Sequence, residues 1–180
     1  MNGINLKNKM LNFFQRPFDR LALVGVGAEI GVYRGQHAAQ LLARHHEITK
    51  LFLVDPYVTY DDKQISIEEL RMAQTDAHMR LEKFNGKSQF VLGDSSLLQN
   101  ELSLGVEPYL DFAYIDGDHR EPAVAFDIER VWPLIKRGGI MGGHDFHPDW
   151  PGVVNAVTKF AVKCALELCV ETPDWWIVKP

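Results

Sequence analysis

The sequence has little cysteine and no long apolar run. The first shortage argues against a disulfide-stabilised or cysteine-metal protein, and the second against a membrane-spanning one. The two cysteines, Cys164 and Cys169, match no metal-binding spacing, and they fit buried thiols in a reducing, cytoplasmic setting better than a disulfide. No stretch of 18 apolar residues occurs, so we expect no membrane-spanning helix. The first 18 residues lack a continuous apolar segment and a small-residue cleavage site, which argues against a secretory signal.

The sequence also lacks a strong charge of either sign. Lys and Arg number 19 against 24 Asp and Glu, a formal net charge of −5, and no basic block stands out. Nucleic acid is therefore not an expected partner, and a small-molecule ligand fits better. The length and the 46% hydrophobic content predict one domain over residues 1–180. Residues 1–20 resemble a helical extension that could pack on the domain edge, cover a cleft or form a homo-oligomer contact.

What the sequence does contain is a regular alternation of strand and helix patterns. Apolar runs that predict buried strands end near Ile30, Val54, Leu92, Ile115 and Gly143, with helical patterns between them. Two short strands joined at Thr172-Pro173-Asp174 follow. The pattern predicts an α/β fold, namely a Rossmann-like, doubly wound, mostly parallel seven-stranded sheet with a C-terminal antiparallel strand pair.

Three local expectations accompany this fold. The helix that begins near Pro122 should end at Gly138-Gly139, with a strand following over residues 139–143. The last helix should carry Cys164 on its inward face. We expect three histidines on or after the first helix to be exposed to solvent, namely His37, His45 and His46.

The chain is organised around Ala28-Glu29-Ile30-Gly31-Val32-Tyr33-Arg34-Gly35, in which an acid at a strand end precedes a Gly-x-x-x-Gly turn and a helix. Glycines let a ligand approach the backbone closely, and the helix start offers free N–H groups. The overlapping pattern Gly25-x-Gly27-x-x-x-Gly31 is typical of dinucleotide-binding turns. The next strand-ending acid, Asp55, lies 20 residues past Gly35 but 28 past Gly27, and about 20 is the usual separation. This spacing favours the Gly31–Gly35 turn and makes an NAD-binding oxidoreductase the weaker alternative.

Polar side chains follow all five predicted parallel strands, at Glu29, Asp55, Asp94, Asp116 and His144-Asp145. Ligands of open α/β sheets bind beyond the carboxyl ends of the strands. Any one of these acids could merely cap a helix or stabilise a turn, but five together predict a binding site. A carboxylate such as that of Asp55 can accept hydrogen bonds from both ribose hydroxyls of an adenosine.

Two groups of motifs carry a resemblance to a known family. The Glu29–Gly35 turn resembles motif I of class I S-adenosylmethionine-dependent methyltransferases. Three further stretches resemble one branch of this class I family, which carries Ile-Asp-Gly-Asp-His and His-Asp motifs. They are Tyr114-Ile115-Asp116-Gly117-Asp118-His119, the Trp132–Gly139 run and His144-Asp145. The resemblance extends from about Glu29 to the C-terminus.

The resemblance implies S-adenosylmethionine as cofactor and methyl transfer to a small-molecule acceptor, such as a hydroxyl of a sugar or secondary metabolite. A nucleoside-binding protein without catalysis is the alternative. The implied cofactor residues are Glu29, Gly31, Val32, Tyr33, Gly35, Asp55, Pro56, Gly93, Asp94, Ser95, Asp116 and Gly117. The candidate catalytic residues are His119, His144 and Asp116, because a histidine with a near-neutral pKa can take a proton from the acceptor.

A divalent cation such as Mg²⁺ is a further candidate, with Asp116, His144 and Asp145 as its ligands. Metal-dependent relatives carry an acid pair after the fifth strand, whereas here His144 takes the first position of that pair. Mg²⁺ prefers oxygen ligands, so the histidine weakens the metal prediction. The sequence leaves open whether these residues bind a metal or move a proton.

Overall fold

The apolar runs form the strands of one mixed sheet in the computed structural model, which describes residues 16–59, 65–101 and 109–180. The strands are β1 (Gly25–Ile30), β2 (Ile48–Val54), β3 (Ser88–Val91), β4 (Leu110–Ile115), β5 (Ile135–Gly143), β6 (Cys169–Glu171) and β7 (Asp174–Val178). Their order across the sheet is β3-β2-β1-β4-β5-β7-β6. Strands β1 to β5 are parallel, and β7 runs antiparallel to both β5 and β6. The predicted fold class is confirmed.

Helices cover both faces of the sheet. The α-helices of the described residues are α1 (Gln36–Arg44), α2 (Ile67–Leu81), α3 (Leu97–Glu101), α4 (Glu121–Val131) and α5 (Pro151–Lys163). Short 3₁₀ turns occupy Pro17–Arg20, Glu82–Phe84 and Trp132–Leu134. None of the described helices combines the length and the apolar character that crossing a membrane requires.

Alternate residues of β4 contribute to two separate hydrophobic clusters, as the two-residue period of a strand requires. Phe112 and Tyr114 belong to the cluster that contains residues of α1 and α2. Ala113 and Ile115 belong to the cluster that contains residues of α4 and α5. Burial on both faces explains why this strand is apolar along nearly its whole length.

The strand order reverses between β1 and β4, which lie side by side in the middle of the sheet. Strand β1 pairs with β2 on one side and β4 on the other, so Glu29 stands opposite both Leu53 and Tyr114. The chain leaves β1 and β4 towards opposite faces of the sheet, which opens a crevice beyond the carboxyl ends of these two strands. The predicted site residues after β1, β2 and β4 therefore meet at one crevice.

Two local expectations were wrong. The helix that begins near Pro122 ends at Val131, and β5 already starts at Ile135, so Gly138 and Gly139 lie inside the strand. The pairing jumps from Leu110↔Ile135 to Phe112↔Ile140, and Gly138 takes a φ of 76° within this bulge. Helix α5 ends at Lys163, so Cys164 follows the helix and is exposed, while Cys169 is half-buried.

The segment that leads into β1 packs on the sheet. Phe18, in the Pro17–Arg20 turn, is 0% exposed, and its backbone N–H donates to Asp174 Oδ2 at 2.8 Å. Asp174 opens β7 and also accepts a 2.9 Å hydrogen bond from the Tyr114 hydroxyl. Most of the predicted helical extension, residues 1–15, lies outside the described residues.

Candidate active site

Two cavities open at the carboxyl ends of the central strands and share Gly31 and Gly117 on their walls. The first, of about 290 Å³, is lined by Glu29 and is called the Glu29 cavity below. The second, of about 470 Å³, is lined by Asp94 and is called the Asp94 cavity. Every predicted cofactor residue except Gly35 lines one of the two.

The glycine turn is shaped by positions that only glycine tolerates well. Gly31 has a φ of 88°, and a Cβ there would lie 2.2 Å from the carbonyl oxygen of Asp116. Gly35 has a φ of 68° and is the N-cap of α1, where a Cβ would lie 3.1 Å from Ala77 Cα. Gly35 therefore serves the packing of α1 on α2, while Gly31 lets the turn approach β4.

Asp55 holds this turn in place. Its Oδ2 accepts hydrogen bonds from the backbone N–H groups of Val32 and Tyr33, both at 2.9 Å, and its Oδ1 accepts one from Tyr57 N–H at 2.7 Å. Asp55 also lines the Glu29 cavity. Both carboxylate oxygens are thus engaged by the backbone, so a bond to a ribose would have to use their remaining lone pairs.

Glu29 is the most deeply buried acid that lines either cavity, at 1% exposed. Its Oε1 lies 3.1 Å from His37 Nδ1, whereas its Oε2 is buried and has no hydrogen-bond partner among the described residues. A buried carboxylate oxygen without a partner is costly in free energy, so this atom fits a cationic or hydroxyl donor on a ligand.

His37 was expected in solvent but is buried, because the Pro17–Arg20 turn covers it. Its Nε2 lies 2.8 Å from Asp19 Oδ1. Burial alone lowers the pKa of His37, but the charge of Glu29 and the hydrogen bond with Asp19 raise it to about 9. His45 is also buried, with Nε2 3.1 Å from the Asp19 carbonyl oxygen, whereas His46 is exposed as predicted.

The predicted catalytic residues come together beyond β4 and β5. Asp145, with a φ of 60°, lies between two histidines: its Oδ2 is 2.7 Å from His119 Nε2 and its Oδ1 is 2.9 Å from His144 Nδ1. Asp116 Oδ1 lies 4.0 Å from His119 Nε2. His119 lines the Glu29 cavity and packs against Trp150, with ring centroids 4.3 Å apart. Of the two candidate bases, His119 is therefore the one beside the ligand space.

The charges of this cluster lower the pKa of both carboxyls. Burial by itself raises the pKa of Asp116, but the interaction with His119 and the charge of Arg16 outweigh it and hold that pKa below its usual range. Burial also raises the pKa of Asp145, but the hydrogen bonds with His119 and His144 outweigh it and hold that pKa well below its usual range. Both residues are therefore carboxylates at neutral pH.

Arg16 supplies a cation that sequence reasoning missed. Its Nη1 lies 2.7 Å from Asp116 Oδ2 and 2.9 Å from the Tyr114 hydroxyl. No motif signalled this residue, because it reaches Asp116 across 100 positions of the chain. The other residues missed in this way are Asp19, His37, Asp127 and Asp174.

The three predicted metal ligands can bring one atom each within 4.8 Å of one another. Their carboxylate oxygens are, however, largely engaged: Arg16 pairs with Asp116, and both oxygens of Asp145 face histidines. Such a set does not fit a hard divalent cation, which requires oxygen ligands free of competing donors. The geometry fits proton transfer better.

The Asp94 cavity has apolar walls and an acidic floor. Ile30, Val54, Pro56 and Phe126 supply apolar surface. The Asp94 Oδ1 accepts from Ser96 N–H at 2.9 Å, and the buried Ser95 hydroxyl donates to Asp127 Oδ1 at 2.6 Å. Burial raises the pKa of Asp127 to about 6, against the lowering effect of the Ser95 hydrogen bond.

Solved structures of similar fold include several methyltransferases. The O-methyltransferase NovP shares 17% identity over 86% of this chain and 72% of that chain, with a TM-score of 0.61. The calicheamicin methyltransferase CalS11 shares 17% over 98% and 87%, with a TM-score of 0.63. SMU.1697c, a putative methyltransferase from Streptococcus mutans in complex with SAH, shares 13% over 98% and 97%, with a TM-score of 0.59. At these identities the likeness is one of fold.

Among curated protein sequences none matches this chain. A family model described as a methyltransferase domain does match, over residues 28–146, a range that contains the glycine turn, the Asp116 motif and His144-Asp145. The matched range is more than half of the 180 residues, and the predicted membership of a methyltransferase family is confirmed. The chain belongs to the methyltransferase domain family, within the class I methyltransferases.

Proposed function

We propose that this protein transfers a methyl group from S-adenosylmethionine to a hydroxyl of a small-molecule acceptor. The observation that carries the proposal is the buried Glu29 Oε2, which lines the first cavity and lacks a partner among the described residues. The amino-acid end of S-adenosylmethionine carries an ammonium group, which would satisfy this oxygen with a charge-assisted hydrogen bond.

The two cavities match the two ends of that cofactor. The amino-acid end would lie in the Glu29 cavity, beside the backbone of the glycine turn. The adenosine would lie in the Asp94 cavity, where Val54, Pro56 and Phe126 offer apolar contacts and Asp94 a carboxylate. The shared Gly31 and Gly117 would allow the ligand to pass close to the backbone between them.

S-adenosylmethionine supplies, when bound, a methyl group on a positively charged sulfur. The chain's own residues would orient the acceptor and remove its proton. His119 would be the group that takes this proton, and its Nε2 lies 2.7 Å from Asp145 Oδ2, a carboxylate that would stabilise the imidazolium formed.

An oxygen acceptor is supported by the chemistry of the base and by the relatives. NovP is named an O-methyltransferase, and CalS11 is named a TDP-rhamnose 3′-O-methyltransferase. In this chain Arg16, Val58, Thr59 and His119 line the Glu29 cavity, and Trp150 packs against the histidine ring. A compact acceptor with hydroxyl groups, such as a sugar, suits this mixture of polar and apolar walls.

The experiment has a binding step and a turnover step. Calorimetry with S-adenosylhomocysteine and with NAD⁺ tests the cofactor, and we expect binding of the former alone. Release of S-adenosylhomocysteine from S-adenosylmethionine, measured by mass spectrometry over a panel of sugars and phenols, tests the reaction. Tight binding of NAD⁺ without affinity for S-adenosylhomocysteine would overturn the proposal. Binding of S-adenosylhomocysteine without turnover on any acceptor would favour the noncatalytic alternative.

A further inference from the structure

We propose that His37 is a positioning residue for the cofactor, which orients the Glu29 carboxylate so that Oε2 faces the ammonium group of the ligand. This inference rests on the proposed function, because it concerns the same binding site. His37 belongs to α1 and is 6% exposed, and its ring packs 4.4 Å from the ring of Tyr114. It lines the inner wall of the Glu29 cavity.

The geometry defines the protonation state of this histidine. Nδ1 lies 3.1 Å from Glu29 Oε1 and Nε2 lies 2.8 Å from Asp19 Oδ1. Carboxylates accept hydrogen bonds and do not donate them, so both ring nitrogens must carry protons. His37 is therefore an imidazolium held at both ends. Glu29 Oε1 is engaged by this cation, which leaves Oε2 as the oxygen that can receive a ligand.

The charges around His37 leave one negative charge in excess. Asp19 and Glu29 contribute two carboxylates, and His37 contributes one cation. The neighbouring cation, Arg16, is paired with Asp116 at 2.7 Å. An ammonium group at Glu29 Oε2 would balance the cluster in a site largely shielded from water, where electrostatic interactions are stronger than at the surface.

The contact with Asp19 fixes the far end of the imidazolium. Asp19 is 3% exposed and lies in the Pro17–Arg20 turn, so His37 is held between this turn and β1 and has little freedom to rotate. Loss of His37 would leave the Glu29 carboxylate free to turn and would place its charge in an apolar setting without a cation. The consequence should concern the ammonium end of the ligand and not its adenosine.

The test compares two ligands that differ at this end. S-adenosylhomocysteine carries the amino-acid group, and 5′-methylthioadenosine lacks it. Calorimetry on His37→Gln should show S-adenosylhomocysteine weakened by about 10- to 100-fold, the effect of losing a charge-assisted interaction. The affinity for 5′-methylthioadenosine should stay at the wild-type value. His45→Gln is the matched control, because His45 is buried and contacts the same Asp19, yet does not line the cavity.

A double-mutant cycle identifies Glu29 as the residue through which His37 acts. In a Glu29→Gln background, His37→Gln should add little further loss of S-adenosylhomocysteine affinity. If His37→Gln does not fold, Asp19→Asn replaces it and should show the same ligand selectivity with a smaller loss.

Three outcomes would overturn the proposal. Equal weakening of the two ligands would indicate a general loosening of the site, and unchanged affinity for S-adenosylhomocysteine would show that His37 has no positioning role. A wild-type chain that binds neither ligand would overturn the proposed function and this inference together, so the two failures can be told apart.

Discussion

His119 is the side chain on which the proposed proton transfer depends. We expect His119→Ala to lower the rate of methyl transfer by about 10²–10⁴-fold, the range for loss of a general base. The affinity for S-adenosylhomocysteine should change little, since Glu29 and Asp94 lie elsewhere in the cavities. Single-turnover methyl transfer measures the first quantity and calorimetry the second. His147→Ala is the control, because His147 is exposed and contacts Asp149.

The two histidines of the cluster should differ. His144 contacts the Asp145 oxygen that His119 does not contact, and it lies 3.9 Å from Asp174. We therefore expect His144→Ala to lower the rate of methyl transfer less than His119→Ala does. The pH–rate profile of His119→Ala should also lose the inflection that titration of the general base gives the wild-type enzyme. Wild-type rates in both variants would show that the reaction proceeds by positioning alone.

The Arg16–Asp116 pair leads to a prediction about metals. Because a guanidinium already contacts Asp116 and two histidines contact Asp145, we expect turnover to persist in excess EDTA. Arg16→Ala removes the competing cation and is the variant in which added Mg²⁺ should have the larger effect. Loss of wild-type activity in chelator, with recovery on adding Mg²⁺, would assign Asp116, His144 and Asp145 to a metal site after all.

Asp127 should make stability depend on pH in the acid range. Its pKa rises from 3.8 to about 6 on folding, so the folded state holds a proton that the unfolded state releases. The stabilisation is complete below pH 3.8 and is lost as the pH rises to about 6. Asp127→Asn keeps an acceptor for Ser95 and should raise the free energy of unfolding above pH 6, relative to wild type, by about 2–3 kcal/mol. Urea unfolding at several pH values measures this difference, and parallel pH curves for the two proteins would contradict it.

At the scale of the elements, the glycine turn depends on one acid of the next strand. Asp55→Ala removes the acceptor of three backbone N–H groups and should lower the free energy of unfolding by about 1–3 kcal/mol. The affinity for S-adenosylhomocysteine should fall as well, because the turn lines the cavity. A fall in affinity without any change in stability would instead indicate that Asp55 acts only on the ribose, as the sequence alone predicted.

The elements also show what the sequence could and could not predict. Periodicity and strand-end acids were enough for the sheet and the crevice, because these depend on local patterns that repeat along the chain. The bulge at Gly138 was missed because strand pairing is not a local property. The burial of His37 was missed because it depends on a turn 18 residues earlier that folds over the helix. Local spacing thus located the Glu29 cavity but gave no sign of the ion pairs that surround it.

At the scale of the whole molecule, the Pro17–Arg20 turn and the last strand, β7, are joined by hydrogen bonds. Phe18 N–H and the Tyr114 hydroxyl both donate to the buried Asp174, and Arg16 donates to Tyr114. A hydrogen bond between residues 156 positions apart therefore anchors the Pro17–Arg20 turn, which contacts the cavity residue His37 through Asp19. We therefore expect methyl transfer to require the intact sheet, because no single βαβ unit contains all the residues of the proposed site.

This long-range contact has a consequence for the ribosome-bound chain. Synthesis proceeds from the N-terminus, so Phe18 leaves the ribosome long before its acceptor Asp174 has been made. A nascent chain stalled before residue 174 should leave the segment around Pro17–Arg20 open to protease, and a chain released after β7 should protect it. Limited proteolysis of stalled and released chains can measure this difference. The Glu29 cavity is then among the last parts of the protein to mature, although the glycine turn that lines it is among the first segments to be translated.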